Sequence, residues 1–152
     1  MKTSKKMKQL IFAILIILPL AVYGRDFFGL TGANPKIKLK VKLVKESLVN
    51  SGYNPRWFTI SEKRNKYFNR LLPNSAKKSH HLHGNAIDVY VIDIDGDGKF
   101  TQTDLDIVKV HTKRVERRNP SLKGAFGTYT SKSIAKHMIH FDTRGYSTSY
   151  NH

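Results

Sequence analysis

The alternation of apolar and polar positions divides the chain into a basic leader, a spacer and a body of mixed helices and strands. Leu10–Tyr23 is an apolar run broken by Pro19, and it follows a segment, Met1–Lys8, that carries four lysines. From Lys36 the order Lys-Ile-Lys-Leu-Lys-Val-Lys-Leu alternates as a strand would. Leu39, Leu43, Ser47 and Leu48 also share one helical face, however, and Gly52 is a good stop. The pattern therefore predicts a helix over 38–50 preceded by an extended stretch. Further on, Arg56–Ser61 reads as a short strand, Glu62–Leu72 as a helix ended by Pro73, and Ala86–Asp93 as a β-branched, apolar strand. Gln102–Arg118 reads as a helix with Leu105, Val108, Thr112 and Val115 along one side, stopped by Asn119-Pro120. Met138–Asp142 is a last short strand. Helices and strands mix without a βαβ rhythm, which predicts an α+β fold with a small antiparallel sheet flanked by helices.

Composition sharpens this picture in three places. The chain has 152 residues and no Cys, so disulfide frameworks, thiolate zinc sites and cysteine nucleophiles are excluded, while the length suits one domain. The balance of 27 Lys+Arg against 11 Asp+Glu predicts attraction to an anionic partner, whether nucleic acid, acidic lipid or an acidic wall polymer. Lys36, Lys38, Lys40 and Lys42 of the alternating stretch read as a solvated face, with binding of an anionic polymer as the lesser alternative. The leader reads as a secretory signal over 1–24, with Val22-Tyr23-Gly24 as a cleavage site. Its apolar run is shorter than the roughly 20 residues of a membrane span, but retention as an N-terminal anchor is the alternative. Residues 1–24 hold Lys2, Lys5, Lys6, Lys8 and no acid, so without them the net charge falls from +16 to +12. Residues 25–35, with Gly29, Gly32, Asn34 and Pro35, are expected to be a linker, and 36–152 the functional domain. Its chemistry is then extracytoplasmic, and any membrane contact runs through the leader.

The histidines carry the chemistry. Five of seven lie at 80, 81, 83, 137 and 140. On the strand after the first group, Ile87, Val89 and Val91 belong to the core, which turns Asp88 to the opposite face. Gly84 permits a turn that folds His81 back over Asp88. In the last strand Ile139 and Phe141 are core, so His140 and Asp142 point the other way. One isolated His is usually a satisfied structural residue. Two His groups with a strand-borne Asp between them can instead converge as two imidazoles and a carboxylate. Three such ligands leave a tetrahedral position open, as in catalytic zinc sites, although other divalent ions fit the same donors.

At these residues the sequence resembles a known family. Ser79-x-His81-x-x-Gly84-x-Ala86-x-Asp88 is similar to the signature of the zinc D-Ala-D-Ala carboxypeptidases and L-alanyl-D-glutamate endopeptidases, which share a fold with Hedgehog signalling domains. Ile139-His140-Phe141-Asp142 resembles that family's closing strand, and Ile60-Ser61-x-x-Arg64, followed by Asn69, resembles the segment that supplies its active-site arginine. The likeness runs over roughly residues 38–146. It implies zinc held by His81, Asp88 and His140, an oxyanion stabilised by Arg64, and peptidoglycan stem peptides as substrate, with Ser79 binding substrate or shaping its loop. Peptide hydrolysis also needs a general base beside the attacking water. His137 is the candidate, three residues before His140, where related members carry Glu. Three is an odd separation, so His137 can reach that water only from the turn before the strand. Asp142 is expected to support a ligand histidine or pair with Arg144. His80, His83 and His111 are not expected to be ligands.

A second cation site is written in the spacing of Asp93-Ile94-Asp95-Gly96-Asp97-Gly98-Lys99-Phe100-Thr101-Gln102-Thr103-Asp104. Carboxylates fall at positions 1, 3 and 5 of an EF-hand loop, Gly at 6, the Lys99 carbonyl at 7 and an acid at 12. Position 12 is Asp, shorter than the usual Glu, and a strand rather than a helix leads in, so the loop is dockerin-like and calcium is expected to be structural. The sequence thus predicts a secreted, monomeric zinc peptidase. Two readings compete with it: a non-catalytic zinc- and calcium-stabilised module of the Hedgehog type, and a nucleic-acid binder. Only charge suggests the last, and no specific nucleic-acid signature supports it.

Overall fold

Three helices and a five-stranded sheet make the body of the protein, in a computed structural model that describes residues 24–25, 29–72, 75–129 and 136–151. The leader up to residue 23, and Pro73 with the stop expected of it, lie outside the described residues. The elements run α1 (Pro35–Val49), β1 (Arg56–Ser61), α2 (Lys66–Leu71), β2 (Ala86–Asp93), α3 (Gln102–Arg118), β3 (Ala125–Thr128), β4 (Met138–Asp142) and β5 (Thr148–Asn151), with a 3₁₀ turn at His80–His83. The strand order is β1-β2-β4-β3-β5. Every neighbouring pair is antiparallel except β3 with β5, which is parallel.

The sheet is one-sided. Ile87, Val89 and Val91 of β2, Ile139 and Phe141 of β4 and Phe126 of β3 point into the core with Ile37, Val44 and Leu48 of α1 and Leu105, Val108 and Val115 of α3. Burying each such side chain fully is worth about 1.5–3 kcal/mol, and the period-2 alternation forces the intervening residues to the opposite face. That face carries Asp88 and His140, so core packing fixes the direction of both. The helix α3 opens on a capping box in which Thr101 and Asp104 satisfy one another's backbone N–H groups.

Four expectations are corrected. The first helix begins at Pro35, which suits the first helical turn because its missing N–H has no partner to lose. Its buried stripe is Ile37, Lys40, Val44 and Leu48, while Leu39 is 47% exposed. A buried lysine inside an apolar stripe hid that face. Its Nζ donates to Glu116 Oε1 at 2.6 Å and to the Asp142 carbonyl at 2.7 Å. Secondly, the helix expected over 62–72 shrinks to Lys66–Leu71. Glu62 is taken up by the preceding chain, its N–H on the Gly29 carbonyl and its carboxylate on Ala33 N at 2.9 Å. Thirdly, those same contacts make residues 29–34 part of the packed structure rather than a spacer. Asn34 N donates to the Gly84 carbonyl at 2.8 Å, and a Cβ at Gly84 (φ +67°) would meet the Gly32 carbonyl at 2.7 Å. Finally, β3 and β5 add two short strands, paired with each other in parallel, to a sheet expected to be smaller and wholly antiparallel. Among the described residues no helix is long and apolar enough to cross a membrane.

Candidate metal centre

The Ser79 side chain accepts from His81 N at 3.3 Å, and Gly84 closes the 3₁₀ turn in the left-handed region. The turn thereby delivers His81 over the sheet, where β2 and β4 pair Asp88 directly with His140. His81 Nε2 stands 3.1 Å from Asp88 Oδ1 and 3.2 Å from His140 Nδ1, and His140 Nδ1 stands 2.8 Å from Asp88 Oδ1. Asp88 and His81 are each 1% exposed and His140 is 7% exposed. Ligand atoms around a tetrahedral ion with bonds of 2.0–2.1 Å lie about 3.3 Å apart, so the triangle is close to the size such an ion sets.

The outer nitrogens decide what the inner ones offer. His81 Nδ1 donates to the Glu62 carbonyl at 2.6 Å, and His140 Nε2 donates to Asp142 Oδ2 over a longer 3.4 Å. Each imidazole therefore aims a lone pair at the carboxylate oxygen, as metal-binding histidines do. Three acceptors facing one another repel unless a cation lies among them. When no metal is bound, a proton on an inner nitrogen meets the same demand, and the titration of the cluster follows from it. Burial pushes the Asp88 carboxyl up, but hydrogen bonds from His140 and His81 outweigh it and hold the group well below the usual carboxylate range. Burial pushes His140 down, yet its bonds to Asp142 and Asp88 carry it above its ordinary value. The residues present fit a divalent metal ion.

The short segment 61–64 braces the cluster at three points and ties Arg64 to Ser61. Glu62 holds His81 through its carbonyl, Arg64 N donates to the His81 carbonyl at 2.9 Å, Arg64 Nε donates to Ser61 Oγ at 2.8 Å, and an Arg64 terminal nitrogen donates to Asp88 Oδ2. Arg64 thus fixes the carboxylate so that Oδ1 meets the histidines, a contact different from the oxyanion role expected of it. Asp142 supports His140 and also receives Arg144 and the Ala125 N–H, the last at 2.6 Å. Burial raises its pKa, but these bonds prevail and keep it low.

His137 sits in the turn before β4, the position from which an odd separation can be overcome. Its ring lies between Tyr90 (centroids 4.9 Å apart, planes 3° apart) and Phe100 (3.7 Å, 24°), and its Nδ1 donates to the Val91 carbonyl at 3.1 Å. That bond leaves Nε2 as the acceptor nitrogen. Among the described residues no hydrogen bond or ring contact joins His137 to the three clustered residues, whereas Tyr90 is on the same sheet face as Asp88. His83 lends its carbonyl to Asn34, and His111 Nδ1 lies 2.8 Å from Ser47 Oγ on the helical side.

Tyr129 and Tyr150 were not anticipated. They share a hydrogen bond, and burial, then the Asp88 charge, pushes Tyr129 up to about 12. The Tyr150 ring lies 6.0 Å from that of His140. The signal was faint: Tyr150 is in a four-residue polar strand next to the end of the chain.

The acidic loop is organised differently. Carboxylate oxygens of Asp93, Asp95 and Asp97 lie within 4.8 Å of one another, with Asp95 and Asp97 exposed. Asp93 accepts from Gly96 N at 2.7 Å and Gly98 N at 3.2 Å, Asp95 from Asp97 N at 3.2 Å, and Asp97 from Lys99 N at 2.7 Å. Asp104 is fully buried and stands outside this group. Its two oxygens receive Ile94 N and Thr101 N, each at 2.7 Å, so the twelfth position closes the loop onto α3.

Comparison with protein families and with curated proteins gives no match. Among solved structures the chain is similar to Serratia marcescens L-Ala D-Glu endopeptidase ChiX, at 17% identity over 78% of this chain and 86% of that one, with a TM-score of 0.53. The two share a fold, and this agrees with the α+β class read from the sequence.

Proposed function

We propose that the protein is a zinc peptidase that hydrolyses peptidoglycan stem peptides, as a D,D-carboxypeptidase or an endopeptidase, outside the cytoplasm. One observation carries the reading: His81 Nε2, Asp88 Oδ1 and His140 Nδ1 converge within 3.2 Å of one another while both outer imidazole nitrogens are hydrogen-bonded. The fold shared with a solved L-Ala D-Glu endopeptidase adds support. Zinc bound there would supply Lewis acidity and bring the pKa of a coordinated water from 15.7 towards about 7.

The remaining steps belong to the chain. Arg64 and Glu62 hold Asp88 and His81 in place, and Asp142 orients His140. His137, with Nδ1 committed to Val91, offers Nε2 as the base that takes a proton from the attacking water and returns it to the leaving amine. Ser79 shapes the turn under His81 and faces the substrate's approach. We assign structural calcium to the 93–104 loop, through Asp93, Asp95, Asp97 and the Lys99 carbonyl, with Asp104 closing the loop. The leader 1–24 directs export or anchors the chain, and the net charge of +12 beyond it suits an anionic wall.

The test is incubation of the full chain with purified peptidoglycan, with and without one equivalent of zinc, and mass spectrometry of what is released. Release of D-alanine identifies a carboxypeptidase, and release of stem fragments an endopeptidase. Zinc retained with no peptide cleaved from any wall type would favour the non-catalytic module. His137→Ala should keep the metal and lose turnover, and full activity in that variant would remove the base assignment.

A further inference from the structure

One row of positions crosses the whole sheet on the metal-binding face. Register pairs Ser61 with Asp88, Asp88 with His140, His140 with Gly127, and Gly127 with Tyr150. The row is continuous in side chains except at Gly127, which leaves a space beside His140. The phenol of Tyr150 fills that space from the neighbouring strand. A Cβ at 127 would lie 2.3 Å from Tyr150 Cε2, 2.4 Å from Cζ and 2.7 Å from the hydroxyl oxygen, so this ring position requires glycine there. The ring reaches within 6.0 Å of the His140 ring, and its hydroxyl is hydrogen-bonded with that of Tyr129. On the opposite side of the cluster, Arg64 is turned onto Asp88 and Ser61. The phenol side is therefore where an uncharged donor meets a group bound at the cluster.

We propose that the Tyr150 hydroxyl donates a hydrogen bond to the substrate's scissile carbonyl oxygen as negative charge builds on it, with Gly127 as the position that admits the ring. No proton is transferred from the phenol. Its contribution is a fixed dipole aimed at developing charge, which is worth more in the transition state than in the ground state. The proposal rests on the peptidase reading above, and its test separates the two.

The full chain and its Tyr150→Phe variant are each loaded with cobalt(II) and titrated with inorganic phosphate, followed by the visible spectrum. Zinc-loaded samples are assayed in parallel on stem peptide. Loss of the hydroxyl should leave metal stoichiometry and the phosphate-free spectrum unchanged and weaken phosphate about tenfold, as loss of one hydrogen bond to an anion does. It should lower kcat about 100-fold with KM within about threefold. Gly127→Ala, which displaces the ring with its hydroxyl intact, should weaken phosphate to a similar degree. Equal phosphate affinity in wild type and Tyr150→Phe, loss of the metal from Tyr150→Phe, or equal kcat would overturn the proposal. If the wild-type zinc protein cleaves no stem peptide, the peptidase reading falls, and the phosphate titration still decides whether Tyr150 faces the cluster.

Discussion

Two carboxylates on one strand face two different problems. Asp88 lies inside β2, buried between a 3₁₀ turn and β4, and the groups that hold it come from three separate parts of the chain: His81 seven residues before it, Arg64 24 before it and His140 52 after it. Asp93 ends the same strand, and it accepts from the N–H groups of Gly96 and Gly98, three and five residues on. The first site exists only when the whole sheet is assembled. The second is written into twelve consecutive residues. A buried, prearranged donor set binds tightly and tolerates little change, whereas an exposed local loop binds weakly and can be damaged without harm to the rest.

The largest break in that comparison comes from His140→Ala. On the proposed site it removes one of the three assigned ligands, and it should lower zinc affinity by at least about 10³-fold, abolishing retention on a desalting column measured by metal analysis. A variant that still elutes with one zinc per chain would mean that the three side chains are not the site. Arg64→Gln tests the brace rather than the ligand. Loss of an outer-shell partner costs about 10–100-fold in metal affinity, and competition against a chromophoric chelator should read it. An unchanged affinity would show that Asp88 needs no help to present Oδ1.

Lys40 extends the contrast to stability. Its ammonium is buried with Glu116 and donates to the carbonyl of Asp142, the residue behind His140. Lys40→Met leaves Glu116 buried without its cation and should cost about 3–5 kcal/mol in denaturant unfolding. Burial is the larger influence on Lys40 and lowers its pKa below 10.5, with Glu116 offsetting part of the shift. Between the folded value and 10.5 the unfolded chain binds more protons, so this residue makes stability rise as pH climbs through that window. Lys40→Met should flatten the rise, and a parallel slope in both proteins would assign it to other groups.

What was legible in the sequence follows the same division between local and distant. The strands Arg56–Ser61, Ala86–Asp93 and Met138–Asp142 and the helix Gln102–Arg118 have the bounds that their local patterns predict, because period-2 and helical periodicity need no knowledge of partners. The opposite faces of Ile87 and Asp88 follow from alternation. By contrast, β3 (Ala-Phe-Gly-Thr) has too little pattern over four residues, and Gly127 looks like a breaker until Tyr150 is seen across it. Lys40 disguised the buried stripe of α1, since only Glu116, 76 residues away, makes a buried lysine tolerable. Arg64 was legible as a site residue, but its contact with Asp88 depends on a bend that shortens α2 at its start.

The loop gives the smallest effect. For the calcium site proposed above, with a dissociation constant near 10⁻⁴ M as is typical of the extracellular range, 1 mM calcium should stabilise the folded chain by about 1.4 kcal/mol and raise Tm by about 4 °C relative to a chelator. Asp95→Asn should remove most of that shift while leaving Tm in the chelator nearly unchanged, because the Asp95 carboxylate accepts from Asp97 N within the same turn. Zinc retention should also be equal in the variant and the wild type, since Asp88 is held from the other end of β2 by Arg64, His81 and His140. If Asp95→Asn releases zinc, the strand transmits order from its acidic end to its middle, and the two sites are one cooperative unit.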